Sequence, residues 1–306
     1  MMDVQRFRVL RAVAEHGSFN RAAAALHLTP SAVSQHVAAL ERSVGTEVVA
    51  RSTRGVTLTE AGRIMVGAAE SVAAELADAR RQIDRLGTGR PQLTVATFTT
   101  GGRVLLPGAL ARLTAAHPDT VLHVREGEPE QTVPLVRQGA VDLALAYHFD
   151  GPLPGGTGGQ GPRSGARWTP LMEDPLRAVL PGDHPLAARE TLDLAELASE
   201  PWVLGCLKTE AYLRRYAERA GFAPEIRGTT TDYFFARTLV ASGLGVSLVP
   251  SLAHTPEVPG LRTVPLAAPA PARHLGVLTL ARHADRPQTA ALVGALREEA
   301  RAWSGA

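Results

Sequence analysis

The sequence predicts a mixed α/β chain in three parts: a small, mainly helical N-terminal domain closed by a β-hairpin, one long amphipathic helix, and a larger α/β domain. Three observations carry this. The first 58 residues hold three short amphipathic helices, then two β-prone runs around a turn. From Met65 to Leu86 an apolar stripe recurs at alternating spacings of four and three, with no proline. Beyond Pro91, strand-like and helix-like runs alternate to the end of the chain.

Composition sets the outer limits. A chain of 306 residues is too long for one compact core and suits two or three domains. Its 45% hydrophobic and 20% charged content is that of a globular protein. The formal net charge is only +2, so any surface meant for a polyanion must be local. Cys206 is the only cysteine, which excludes an intramolecular disulfide and any cysteine-based metal site within one chain. No basic-then-apolar leader opens the sequence, and no run of about 18 apolar residues occurs. The expectation is a cytoplasmic protein with no membrane partner.

In the first helix, Val4, Phe7, Leu10 and Val13 recur every third residue between arginines. Gly17 stops it, and Ser18 is a good N-cap for a short helix rich in alanine, Phe19 to Leu26, whose small side chains allow close helix approach. Thr29-Pro30 restarts the chain as an N-cap followed by proline at the first helical position. In the third helix Val33, Val37 and Leu40 fix the buried stripe. Ser31, Ser34, Gln35 and Ala38 occupy the opposite face, with His36 at its edge. That face is short, polar and nearly uncharged, which suits contact with base edges in a major groove. Two helices with a tight turn, the second bearing such a face, form the helix-turn-helix pattern. The runs from Glu47 to Leu58 then read as a β-hairpin wing, with Arg51 and Arg54 where phosphates run. Seven arginines oppose four acids in residues 1–58. The alternative for this segment is a solvated three-helix domain with incidental arginines.

The run Val13-Ala14-Glu15, Gly17-Ser18-Phe19-Asn20-Arg21-Ala22-Ala23, Leu26-His27-Leu28-Thr29-Pro30-Ser31-Ala32-Val33-Ser34-Gln35, Leu40-Glu41 and Arg54-Gly55-Val56-Thr57-Leu58-Thr59-Glu60-Ala61-Gly62 closely resembles the LysR-type transcriptional regulators. The match is ordered and dense over about 60 residues. By position, the resemblance implies that Thr29, Pro30, Ser31, Ser34 and Gln35 make recognition-helix contacts and that Arg51 and Arg54 belong to the wing. Gln35 stands where members of that family often carry arginine, and Val49-Ala50 where they often carry Phe-Glu, so the operator sequence does not carry over.

The long helix begins after Thr59, a candidate N-cap, and its stripe of Met65, Ala69, Val72, Leu76, Ala79, Ile83 and Leu86 is a narrow seam suited to one partner helix. Met65, Val72, Leu76 and Ile83 are the candidate dimerisation residues. The alternative is a helix lying on its own chain's second domain. Dimerisation would pair two recognition helices on a dyad-symmetric double-stranded DNA site. The resemblance implies the same interface, and dimers that commonly pair into tetramers.

Gly87 to Pro91 marks the next boundary. Leu171…Asp174-Pro175-Leu176…Leu180-Pro181…His184-Pro185-Leu186 and Leu239-Val240-Ala241-Ser242-Gly243-Leu244-Gly245-Val246…Val249-Pro250 are similar to the effector domain of the same family. The resemblance implies two α/β lobes, like those of periplasmic binding proteins, with a small-molecule cleft between them and crossings near 148–168 and 265–273. The resulting domain plan is 1–58 winged helix-turn-helix, 59–88 linker and dimerisation helix, and 89–306 effector domain. In that plan lobe I is 89–165 with 270–306, and lobe II is 166–269. By position, Thr99 and Thr100, Gly127 and Glu128, Gly205 and Cys206, and Thr231, Asp232 and Tyr233 match the four cleft loops. Hydroxyls at a helix start could hold a carboxylate, whereas Glu128 and Asp232 add negative charge, so the charge of the effector stays open.

Gly156-x-Gly158-x-x-Gly161 satisfies a dinucleotide fingerprint in letters only, since Pro152, Pro154 and Pro162 deny it a strand before and a helix after. The stretch 151–165 reads instead as an insertion. The ten histidines show no metal-ligand spacing and no nucleophile motif appears, so no cofactor, metal or enzymatic activity is expected. The rivals are a solute-binding protein whose N-terminal helices only oligomerise, and an enzyme working in the cleft.

Overall fold

The computed structural model describes residues 3–52, 55–149, 165–206 and 209–304. Helix α1 (Val4–His16) starts at Asp3, whose side chain accepts from the Arg6 amide at 3.0 Å, and ends at Gly17 in the left-handed region. Helix α2 (Phe19–Leu26) leaves through His27 at φ 55°, the one non-glycine residue with positive φ among the described residues. That tight exit lets Thr29 cap α3 (Pro30–Val44), its hydroxyl accepting from the Ala32 amide at 3.2 Å. Leu10, Val13, Val33, Val37 and Leu40 close the core of the three helices. Val4, expected on the buried stripe, is instead 52% exposed, because Val9 and Ala12 complete the buried face beside Leu10 and Val13.

Strands β1 (Val49–Ser52) and β2 (Gly55–Leu58) pair antiparallel, with Val49 opposite Leu58 and Ser52 opposite Gly55. The hairpin is tied at both sides. The Glu41 carboxylate of α3 accepts from the Val48 amide at 2.9 Å, and the Val56 amide donates to the Gly17 carbonyl at 3.0 Å. Gly55 sits at φ 127°, where a Cβ would come 2.9 Å from that carbonyl, so only glycine fits.

Helix α4 (Glu60–Thr88) is capped by Thr59, whose hydroxyl accepts from the Gly62 amide at 3.0 Å. Its 29 residues span about 43 Å. The helix has three working faces. Met65 is buried in the core of its own N-terminal domain. Ala74 and Asp78 face the C-terminal domain, where the Asp78 carboxylate accepts two hydrogen bonds from Arg286, at 2.8 and 2.7 Å. Leu76 and Ile83 are 52% and 60% exposed. The seam expected from the sequence therefore loses Met65, which is packed within the chain and is not free to meet a partner helix. The helix also lies partly on its own second domain, but by a face other than the seam.

The C-terminal domain runs β3 (Gln92–Thr97), α5 (Thr99–Val104), α6 (Leu106–Ala116), β4 (Val121–Glu126), α7 (Pro129–Arg137), β5 (Leu143–His148), β6 (Ala166–Pro181), β7 (Pro201–Leu204), α8 (Thr209–Arg219), β8 (Glu225–Thr229), α9 (Tyr233–Ala241), β9 (Ser247–Pro250), β10 (Leu261–Val264), β11 (Ala272–Leu280) and α10 (Pro287–Ser304). Helices α5 and α6 follow one another directly, with Pro107 in the first turn of α6. In the first lobe the strand order is β4-β3-β5-β11-β6; β4 and β5 lie parallel to β3, whereas β11 is antiparallel to β5 and to β6. Its core gathers Val95, Leu113, Leu145, Val277, Leu292 and Leu296. In the second lobe β9 and β10 flank β6, and the parallel pair β7-β8 joins them through a Trp202–Val246 bridge. Leu176, Leu180, Trp202, Leu213 and Leu248 fill that core.

One strand thus serves both lobes. Residues 166–175 of β6 pair with β11, and residues 176–181 pair with β9 and β10. The lobe boundary expected at 166 moves to about 176, inside a strand of 16 residues. Pro170 and Pro175 hid it, because each lacks an amide and reads as a break. Here Pro170 sits beside the register shift opposite Leu275 and Gly276, and Pro175 where β6 changes partners. The return crossing between β10 and β11, residues 265–271, is where it was expected. The insertion over 151–164, with its glycine fingerprint, lies outside the described residues. Among the described residues no helix is long and apolar enough to cross a membrane.

Candidate nucleic-acid interface and interlobe cleft

The start of α3 is built to be presented. Val33, Val37 and Leu40 anchor it, so the opposite face is turned out by the helical period. Thr29, Pro30, Ser31 and Gln35 are exposed, while Ser34 and His36 are half-buried. The Thr29 and Ser31 hydroxyls lie 3.0 Å apart, so the two act as one polar surface at the helix N-terminus. Arg51 is the third residue of β1, opposite Val56; Arg54 lies outside the described residues.

The interlobe cleft brings together Thr99, Thr100, Glu128, Cys206, Thr231, Asp232 and Tyr233. Gly127 and Gly205 sit behind them. A Cβ at Gly205 would come 2.3 Å from the Tyr233 ring, and one at Gly127 3.0 Å from the Gln131 side chain. Glycine at these two positions lets the loops close on the site. Glu128 caps α7 in a box with Gln131, and Asp232 caps α9 by accepting from the Phe234 amide at 2.9 Å.

Three residues lining the cleft escaped the sequence reading, Phe98, Tyr147 and Arg273, and with them Asp174, the partner of Arg273. Arg273 is 1% exposed and Asp174 0%, and they form an ion pair. Arg273 also donates to the Thr100 hydroxyl at 3.0 Å, and its guanidinium lies 4.8 Å from the Tyr147 ring centre. Burial works against the arginine's charge; Asp174, with Tyr233 and Tyr147, more than offsets it, so its pKa lies above the ordinary value. Tyr147 donates its hydroxyl to the Glu128 carboxylate at 2.7 Å and lies 3.8 Å from the Cys206 sulfur. Burial first, then Cys206, Tyr233 and Glu128, push the Tyr147 pKa far above the usual phenol range, so it is a fixed donor. No local pattern links these groups, since Asp174 and Arg273 are 99 residues apart.

Of the two hydroxyls expected to hold a carboxylate, Thr99 has its proton engaged and Thr100 keeps its own to donate. Thr100 accepts from Arg273, and Thr99 donates to Glu126 at 2.6 Å. The space left at the centre is about 10 Å³, room for one water at most. Anything larger needs the lobes to part. Among the described residues no group of three or more His, Cys, Asp or Glu side chains is placed to hold a metal ion.

The sequence matches the family described as bacterial regulatory helix-turn-helix protein, lysR family, over residues 4–63, and the family described as LysR substrate binding domain over residues 87–301. An uncharacterized HTH-type transcriptional regulator of Escherichia coli K12, YnfL, is 30% identical over 277 residues, 87% of this chain and 88% of that one. A probable hydrogen peroxide-inducible genes activator of Mycobacterium avium is 32% identical over 280 residues, 89% and 86% of the two chains. Among solved structures, a full-length OxyR variant from Pseudomonas aeruginosa superposes with a TM-score of 0.54 at 25% identity, over 98% of this chain and all of that one. Helix-turn-helix, wing, linker helix and two-lobed domain occur in one continuous order, and the chain belongs to the lysR family: it is a LysR-type DNA-binding transcriptional regulator with an effector-binding domain.

Proposed function

We propose that this protein binds a dyad-symmetric promoter site as a dimer, and as a tetramer of paired dimers, through the outward face of α3 and the wing. A small effector entering the interlobe cleft then changes lobe closure and with it the arrangement of the DNA-binding domains. The observation that carries this reading is the face of Thr29, Ser31, Ser34, Gln35 and His36, polar and nearly uncharged on a helix whose other side is locked in the core. A face made only for solvation would carry longer charged side chains; hydroxyls and an amide are suited to base edges. Arg51 and Arg54 supply phosphate contacts that position the helix without reading sequence. Leu76 and Ile83, with half-buried Val72, supply the seam between two α4 helices. The protein works in the cytoplasm, where its DNA is, and regulates without catalysis.

The cleft residues Thr99, Thr100, Gly127, Glu128, Gly205, Cys206, Thr231, Asp232 and Tyr233, with Tyr147 and Arg273, form the effector site in this reading. Glu128 and Asp232 face an arginine already neutralised by Asp174, so the site suits a ligand with a hydrogen-bond-donating or cationic group. The ligand acts only through its different affinity for open and closed lobes. In vitro selection of random duplex DNA on the full-length protein, at defined salt, tests the reading. A short motif in two symmetric half-sites supports it, and recovery of sequence-blind, salt-sensitive binding alone removes it.

Cys206 favours a second reading of the cleft. It lines a space of one water's size beside a fixed hydroxyl donor, and the Mycobacterium avium relative carries the name of a hydrogen peroxide-inducible activator. A Cys206 thiol attacking peroxide would give a sulfenic acid and water. Intact-mass measurement after peroxide and a sulfenic-acid trap decides. A trapped adduct in the native chain and none in Cys206→Ser supports this reading, and no adduct in either removes it.

A further inference from the structure

A larger concavity lies outside the cleft. A groove of about 670 Å³ opens between the second lobe and the end of α10, which belongs to the first. Arg177 of β6, Arg237 of α9, His254 and Arg262 of β10 line the second-lobe side with Glu257; Trp303 of α10 walls the other. Three guanidinium groups therefore meet one carboxylate, and among the described residues none of the three is ion-paired.

The donors differ in what they have left to give. Arg237 is 3% exposed, and its two terminal nitrogens donate to the Ala253 and Pro256 carbonyls, both at 2.6 Å. It fixes the wall and contributes charge. Arg177 uses only Nε, which donates to the Ser251 hydroxyl at 3.2 Å, so its terminal nitrogens remain for another acceptor. His254 bonds the Val249 carbonyl through Nε2 at 3.2 Å, which leaves Nδ1 to accept from Thr263 at 3.1 Å. Burial pushes the His254 pKa down to about 4; the Val249 bond opposes the shift, and Arg237 and Arg177 add to it. The imidazole is kept neutral chiefly by burial, and the two guanidiniums that add to the shift line the same groove. Arg262 is exposed and lies opposite Leu180, three residues beyond Arg177 along β6. At about 3.3 Å per residue that sets the two backbone positions roughly 10 Å apart along the strand, and both residues line the groove.

We propose that this groove is a binding site for a small organic polyanion, carrying two or more carboxylate or phosphate groups, separate from the central cleft. One anionic group meets Arg177 and the other Arg262, and the body of the ligand lies against Trp303. The site is coupled to the cleft by a short path. Ser251, the partner of Arg177, also donates to the Pro175 carbonyl at 3.1 Å, and the next amide, Leu252, donates to Asp174 at 3.1 Å. Asp174 is the acid that pairs with Arg273. A ligand touching Trp303 and Arg177 also bridges the lobes, so it resists their movement.

Isothermal titration of the full-length chain without DNA, using citrate and pyrophosphate with inorganic phosphate as reference, tests the proposal. We expect citrate or pyrophosphate to bind at least about tenfold more tightly than phosphate, and Arg177→Gln and Arg262→Gln each to weaken that binding about tenfold. Preference for citrate identifies a carboxylate ligand, and preference for pyrophosphate a phosphorylated one. Tyr147→Phe, in the central cleft, should leave this binding unchanged. Trp168 and Trp202 are buried, so a change in tryptophan emission on binding, lost in Trp303→Phe, should report this groove. Arg262 is exposed, so its variant folds whatever happens to Arg177→Gln. The proposal is overturned if neither polyanion outbinds phosphate, if both arginine variants bind like the native chain, or if Tyr147→Phe abolishes the binding.

Discussion

Arg273 is tolerated inside a strand only because Asp174 stands beside it, and Asp174 in turn holds the Leu252 amide. Removing one partner leaves the other's charge buried without compensation, which costs about 3 to 5 kcal/mol. Asp174→Asn should therefore lower the unfolding free energy by that amount in urea titrations, whereas Thr99→Ala, at a half-buried hydroxyl, should change it little. A small effect of Asp174→Asn would show that the pair is not what holds Arg273 in the strand. His254 adds a pH dependence of known sign. Its pKa is about 4 in the folded chain, against 6.5 ordinarily. Its neutral form thus contributes stability that is full above pH 6.5 and is lost as pH falls toward 4, up to about 3 kcal/mol. Replacing it, as in His254→Gln, should flatten the fall in urea midpoint between pH 7 and 4.5; an unchanged slope would contradict the shift. At this scale the sequence showed the loop residues of the cleft, because the resemblance carried their positions. It did not show Tyr147, Asp174 or Arg273, because a tyrosine between alanine and histidine, an acid before proline and an arginine before histidine each look ordinary until tertiary structure joins them.

Helix α4 shows how an element divides its surface. Its stripe was legible as period, but period does not say which members face the same chain. Met65 goes to the N-terminal core, Asp78 reaches Arg286, and Leu76 and Ile83 stay outside. Two variants separate these duties. Met65→Ala should cost about 2 to 5 kcal/mol of stability in the N-terminal domain while leaving the oligomeric state alone. The double change Leu76→Glu with Ile83→Glu should yield monomers in sedimentation velocity with little loss of thermal stability, since both side chains are exposed within the chain. Dimers surviving that change would move the interface elsewhere. Strand β6 teaches the complementary lesson. Its two prolines erase the strand signal locally, while a bulge and a change of partners accommodate both. Strands β8 and β10 carry little strand signal in the sequence, being short and largely exposed, without a clear apolar alternation.

For the whole molecule, the order of parts was legible end to end: three helices and a hairpin, a long helix, and an alternating domain crossed twice. Where the second lobe begins was not, since one unbroken strand runs through the boundary. That shared strand makes the crossover a continuous β-ladder, so lobe motion must bend β6 near Pro175 or move the turn between β10 and β11. The central claim is that the exposed face of α3 reads sequence. Selection of random duplex DNA, run in parallel on the native chain and on Gln35→Ala, tests it most directly. The native chain should yield a dyad motif, and the variant a motif altered at matching positions in both half-sites, because Gln35 is exposed and contributes nothing to the core. The same motif from both proteins would contradict it and place base recognition elsewhere on the molecule.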